Sequence, residues 1–288
     1  GPRITDAGLM HLRHVPQLTQ LYLTDTAITD RGLAELSAVP RLEILWLKGN
    51  NITDAGLTHL RPLRQLVWLS LSDTKITGVG LVHLPSLRKL VALDLSDTKI
   101  TDAGLAHIQG LSQLRSLQLD RTSITDAGLT PLNQLGRLGR LDLTGMSITG
   151  EGFPQLRGLR ILSDLDLVDT QLNDTGIANL KAFPAALTVH VYNTPATDGA
   201  IEMLRRQLPD IRICGADVGC CNASSGQIER WEGYHPWKQW GVRDTSAPNY
   251  VLGEWVWPGF EFSGYNPDEQ SSAAFPPPIT SSTGASTA

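Results

Sequence analysis

Cysteine is scarce in this sequence: the three present, Cys214, Cys220 and Cys221, all lie beyond residue 213. A disulfide framework or a thiolate metal site is therefore excluded from the first 213 residues. Cys220-Cys221 has neither Cys-x-x-Cys spacing nor a neighbouring base, so no catalytic thiol is expected. No run of about 18 apolar residues occurs, and no membrane-spanning helix is expected. A basic surplus is also missing, with 24 Lys and Arg against 29 Asp and Glu. From Cys214 onward eight acidic residues face three basic ones, which leaves 21 of each sign in residues 1–213. Nucleic acid is accordingly not an expected partner. Phosphate loop, metalloprotease helix motif and G-x-S-x-G are all lacking, and no nucleophile stands with a base and an oxyanion site. The chain reads as a non-enzyme without a cofactor or a metal.

What is present is a strict repeat. Ile4-Thr5-Asp6-Ala7-Gly8-Leu9 returns every 24 residues, from Ile28, Ile52, Ile76, Ile100, Ile124, Ile148 and, with a substitution, Leu172. Ala196-Thr197-Asp198 is a worn last copy. A register without insertions means that each copy is one turn of a coil stacked on the turn before it. Within one copy Leu21 and Leu23 alternate with Tyr22, the period of a short half-buried strand. Thr29 is a candidate helix N-cap, with Asp30 in the first turn. Gly32 is expected to let neighbouring coils approach closely. Leu33, Leu36 and Val39 follow at helical spacing, and Pro40 closes the helix as Pro16 and Pro184 do in other copies.

The pattern L-x-x-L-x-L-x-x-T-x-I followed by Thr-Asp-x-Gly-Leu resembles leucine-rich-repeat proteins, in their Ile-Thr-Asp-x-Gly-Leu subtype. That subtype is known from F-box-associated receptors and from many bacterial repeat proteins. Thr26, Thr74, Thr98, Thr122, Thr170 and Thr194 stand where the eukaryotic subtype carries Cys or Asn, and with the 24-residue period they look more like the bacterial form. The resemblance covers residues 1 to about 213. It implies an α/β solenoid, a curved horseshoe with parallel strands on the concave face and short helices on the convex face. The buried Thr column is expected to bond loop backbone groups, with Asn50 able to replace Thr and Met146 unable to. Gly78, Gly150 and Ala200, where the motif fails, predict weaker helix starts.

Function is expected at the variable positions of the strands. Tyr22, Ile44, Trp46 and Trp68 point outward there and predict an aromatic and apolar patch of the kind that anchors protein partners. Further along, Asp94, Asp120, Asp142, Asp164 and Asp166 predict an acidic lane inviting Lys- or Arg-rich segments or a divalent cation, with Arg121 and Arg140 as basic exceptions. His190 joins this acidic end, beside Tyr192 and Asp166. Asp25, Asp73, Asp97 and Asp169 follow the strands and predict local turn bonds. His11, His59, His83 and His107 share one position on the helical side, where side chains splay apart; they read as surface consensus and not as metal ligands.

The ends differ from the middle. The chain opens on Gly1-Pro2-Arg3 in mid-repeat and reads as N-terminally truncated, with Ile4, Leu9 and Leu12 exposing an apolar end open to end-to-end self-association. A terminal repeat is predicted at about 185–213, its helix carrying Ile201, Leu204 and Leu208 before Pro209 and the strand Ile211-Arg212-Ile213. Residues 214–288, with Trp231, Trp237, Trp240, Trp255, Trp257 and a Pro- and Ser-rich end, read as a largely disordered tail, with a fragment of a small β module and a non-native reading frame as the alternatives. The expected activity is that of a scaffold binding a protein or peptide on its concave face. The rival readings are the substrate-receptor part of a ubiquitin-ligase-like effector, a glycan-binding repeat domain through Trp46 and Trp68, and an accessory domain of a larger enzyme.

Overall fold

The structure is a computed structural model that describes residues 4–184 and 187–215, together with the backbone of 219–221 and 228–229. The chain divides into two units, Gly1–Trp231 and Glu232–Ala288. The second unit, Trp231 and the expected disorder of the tail from residue 230 on lie outside the described residues.

The first unit is a solenoid built on one sheet. Its strands are β1 (Gln20–Tyr22), β2 (Ile44–Trp46), β3 (Trp68–Ser70), β4 (Ala92–Asp94), β5 (Ser116–Gln118), β6 (Arg140–Asp142), β7 (Asp164–Asp166), β8 (Thr188–His190) and β9 (Arg212–Gly215). Each pairs in parallel with the next in chain order, and the register advances by 24 residues across each pair from β1 to β8: Leu21 faces Leu45, Leu45 faces Leu69, Leu69 faces Leu93. Beyond β9, β10 (Gly219–Cys221) and β11 (Ile228–Glu229) add antiparallel strands. Cys214 in β9 is disulfide-bonded.

The leucines explain why no coil stands alone. Leu45, Leu47, Leu69, Leu71, Leu141 and Leu143 have no exposed surface, and Leu33, Leu36, Leu57 and Leu60 close the same core from the helical side. Each such side chain contributes about 1.5–3 kcal/mol of transfer free energy, available only once a neighbouring coil covers it.

The helical side departs from simple α-helices. In the second coil one α-turn, Asp30–Leu33, runs into a 3-10 helix, Ala34–Ala38; in others only 3-10 turns form, as at Gly56–Leu60 and Val79–Ser86. The physical reason is reach. A 3-10 helix rises about 2.0 Å per residue against 1.5 Å, so it spans a coil of fixed length with fewer residues. Leu33, Leu36 and Val39 recur every three residues, which is its period.

The Thr-Asp-x-Gly motif turns out to be an intercoil clamp more than a helix cap. Asp30 accepts hydrogen bonds from the next coil's Thr53 backbone N–H at 2.8 Å and hydroxyl at 2.6 Å. Asp6 holds Thr29, Asp102 holds Thr125 and Asp174 holds Thr197 in the same way. The motif glycine makes room for this carboxylate: a Cβ on Gly56 would stand 2.3 Å from Asp30 Oδ1. The Thr side chain also caps its own helix at Thr29 and Thr197, but not at Thr5, Thr101 or Thr125. At Gly78 and Gly150 the carboxylate is missing and the coils close up directly, so that an added Cβ would lie 2.6 Å and 2.5 Å from the Cα of Gly104 and Gly176. The weak helix start expected at Ala200 is not found. There the longest α-helix among the described residues, Asp198–Gln207, begins with the Thr197 side chain accepting from the Ala200 N–H.

Two further expectations are corrected. Leu9 and Leu12 are 3 % and 8 % exposed because their half-coil turns them onto the next coil; of the three residues, only Ile4 is exposed, at 43 %. Asp25 and Asp73 show no local turn bond. They, Asp97 and Asp169 instead adopt left-handed backbone with φ between 51° and 56°, a conformation Asp tolerates and Gly49 and Gly145 supply in other coils. The Thr column behaves as expected within its own coil, Thr74, Thr98, Thr122 and Thr170 each donating to the carbonyl three residues back. Asn50 goes further and ties the carbonyls of Leu23 and Leu47. Met146 offers the Thr122 hydroxyl only its sulfur, at 3.8 Å.

Candidate partner-binding face

Alternation along each strand sends the leucines inward and their neighbours to the opposite face of the sheet. Because the register is 24, side chains 24 residues apart sit side by side there. The upper end is aromatic. Tyr22 lies edge-on to Trp46 with ring centroids 5.3 Å apart, and Trp46 is tilted against Trp68 at 5.7 Å. Tyr22 is 46 % exposed, while Ile44, Trp46 and Trp68 are half-buried. The Trp46 indole N–H is buried without an acceptor. The rings thus come together as the sequence predicts, in a cluster whose planes are inclined and not coplanar.

Below them runs a polar strip. Asp94 accepts from the Ser70 hydroxyl at 2.7 Å and from the Ser96 N–H and hydroxyl at 3.0 and 2.7 Å. The same Ser96 hydroxyl also reaches Asp120. Arg121 pairs with Asp97 through two nitrogens at 2.5 and 2.6 Å and with Asp120 at 2.9 Å. This guanidinium holds the Asp97 carboxyl below its usual range and outweighs burial. Asp120 is pushed up, chiefly by its own burial.

The lower end is denser than the alternation predicts. Asp166 is fully buried and Asp142 and His190 are 4 % and 7 % exposed, although all three lie on the strand face. Asp166 binds Arg140 at 3.0 Å through one oxygen and His190 Nδ1 through the other. Asp164, half-buried beside Arg140, is pushed up by burial first. Asp142 is strongly perturbed: burial, then the charges of Asp166 and Asp120, raise it to about 7. The Thr144 N–H, at 3.0 Å from Oδ1, and the Thr144 side chain act against that rise. The lane is therefore a graded charge cluster in which Arg121 and Arg140 neutralise part of the acid. Asp164, Asp166 and His190 offer ligand atoms within 4.8 Å of one another, but Arg140 already supplies a cation to Asp166.

The sequence reading placed His190 beside Asp166, and the two are bonded; it missed the pairings of Ser70 with Asp94 and Asp97 with Arg121. The signal is available, since each complementary pair is separated by 24 residues. The four helical-side histidines are exposed or half-buried at the surface. No helix among the described residues is long and apolar enough to cross a membrane.

Comparison with known proteins agrees with this architecture. Two family models, each described as leucine-rich repeat, match residues 64–124 and 16–37, and identify leucine-rich repeats in the chain. No curated protein gives a significant match. Among solved structures, internalin C2 from Listeria monocytogenes is 26 % identical with a TM-score of 0.56, covering 74 % of this chain and 84 % of its own. An internalin (inlF) from the same organism is 21 % identical with a TM-score of 0.42, covering 73 % and 77 %.

Proposed function

We propose that this leucine-rich-repeat chain is a non-catalytic scaffold that holds a protein or peptide across its strand face, Tyr22, Trp46 and Trp68 anchoring apolar side chains and the acidic strip receiving basic ones. The observation that carries the reading is the continuous path from the aromatic rings of Tyr22, Trp46 and Trp68 to carboxylates along adjacent strands of one sheet. Aromatic side chains supply large contact area at small entropic cost and are favoured anchors of interfaces. Extended surfaces of this kind are what stacked repeats provide to their partners. The unpaired indole N–H of Trp46 adds a donor that a partner carbonyl would satisfy after a small ring rotation. The disulfide at Cys214 favours an oxidising compartment for the encounter.

The test is panning of random displayed peptides on the full chain and on Trp46→Ala/Trp68→Ala. Sequences enriched on the first should be lost on the second. Equal enrichment on both would refute the aromatic anchor.

A further inference from the structure

We propose that the flank on which each coil returns from its helical turns to its strand binds a linear acidic polysaccharide, independently of what the strand face holds. The return segments are residues 13–17, 37–41, 61–65, 85–89, 109–113, 133–137, 157–161 and 181–184. Each runs from the end of a helical turn towards the next strand, as between Ser86 and β4. Together they carry ten Lys and Arg and not one Asp or Glu. Residues 1–213 as a whole have 21 of each sign, so the charges are balanced in number and sorted in space.

Stacking turns this composition into a stripe. With a register of 24, equivalent residues of successive coils lie side by side. The Gln65 amide oxygen accepts from Lys89, and that of Gln113 from Arg137, across neighbouring coils at 2.5 and 2.7 Å. From β1 to β8 are seven strand spacings of about 4.8 Å, which makes the stripe about 34 Å long. All ten cations are exposed, and none takes part in an ion pair among the described residues. The strand face is the contrast, because there Arg121 and Arg140 are held by aspartates. Arg64 and Arg88 stand one coil apart, within the Debye length of about 8 Å at physiological ionic strength, so their fields add. Like charges side by side are unfavourable until a counter-charge spans them.

The neighbours of these cations select the polyanion. Long exposed side chains in a row respond to charge density and length, which suits a polymer more than a single small anion. Gln17, Gln65, Ser112 and Gln134 are interleaved with them and exposed, and offer amide and hydroxyl groups to the hydroxyls of a sugar. The segments hold no Trp or Tyr, and Phe183 is buried, so the bases of a nucleic acid find no ring to stack on. Val15 and Ile161, their large exposed aliphatic residues, stand six coils apart and form no common anchor for a polypeptide or a lipid surface. The disulfide at Cys214 favours an oxidising compartment, where acidic polysaccharides are met.

The test titrates labelled heparin, a linear polysaccharide of sulfates and carboxylates, with the full chain and follows anisotropy. Arg64→Gln/Arg88→Gln removes two charges from neighbouring coils of the stripe. Lys75→Gln/Lys99→Gln removes two exposed charges with the same spacing from the loops after β3 and β4. The first pair should weaken binding about fivefold and the second less than about twofold, with the melting temperatures of all three proteins alike. Affinity should fall with added salt and rise with fragment length until a fragment spans the stripe. Absence of binding at low salt, or equal loss on the two variants, would overturn the stripe. Tighter binding of polyglutamate, single-stranded DNA or phosphatidylserine vesicles than of heparin would overturn the assignment to a polysaccharide.

Discussion

Replacing Asp142 by Asn is expected to stabilise the folded chain at pH 8 and to leave it almost unchanged at pH 4. The carboxyl is raised from 3.8 to about 7 by burial and by Asp166 and Asp120. Below pH 4 it is protonated in both the folded and the unfolded chain and costs nothing. Between pH 4 and 7 the unfolded chain releases the proton while the folded chain keeps it, so stability falls as pH rises. Above pH 7 the folded chain carries the whole penalty. Three pKa units correspond to a ceiling of about 4 kcal/mol, and relaxation of neighbours makes about 1–3 kcal/mol the realistic gain from Asn. For a solenoid of this size that is a rise of roughly 3–10 °C in melting temperature. Asn keeps an oxygen for the Thr144 N–H, so packing is retained. The assay is circular dichroism melting of both proteins from pH 4 to pH 8.5, reading the difference at each pH so that shared titrations cancel. A difference that does not grow with pH, or a variant less stable at pH 8, would refute the electrostatic account of this face.

Other substitutions probe the scaffold. Asp54→Ala removes the acceptor shared by the Thr77 N–H and hydroxyl and by the Gly78 and Gly80 N–H groups, and should cost about 1–2 kcal/mol in denaturant unfolding. Burial would raise the Asp54 pKa, but the Thr77 hydroxyl and these N–H groups lower it; its contribution is present at neutral pH and is lost as pH falls through the lowered pKa. Gly104→Ala places a Cβ 2.7 Å from the Gly78 Cα, and should destabilise by about 1–3 kcal/mol through a forced separation of two coils. Leu93→Ala, at a position 1 % exposed between β3 and β5, should cost about 2–5 kcal/mol. An equilibrium unfolding midpoint unchanged by either change would contradict the stacked core.

The stack was legible because one number, 24, determines which residues become lateral neighbours. Leu21 and Leu45, and Asp30 and Thr53, meet as a consequence of that spacing. The role of Asp30 was not legible from a single copy, where Thr-Asp reads as a helix start. Its carboxylate serves the following coil, and only a comparison across copies shows that the Gly of the next motif leaves space for it. The strand face was half legible. Alternation placed Tyr22, Trp46, Trp68, Asp94 and Asp142 on one side. It carries no information on depth, which depends on side-chain volume on both flanking strands and buries Asp142, Asp166 and His190. The same limit explains Arg121 and Arg140, whose charges read as interruptions of a lane until the lateral pairs with Asp97 and Asp166 are drawn.

The central claim is that the aromatic end of the strand face holds a polypeptide, and the direct measurement is the affinity of a panned peptide for wild type and for Trp46→Ala/Trp68→Ala. Removal of two anchors worth about 2 kcal/mol each should weaken binding by several hundredfold, while melting temperatures of the two proteins stay within a few degrees. An unchanged dissociation constant would contradict the account.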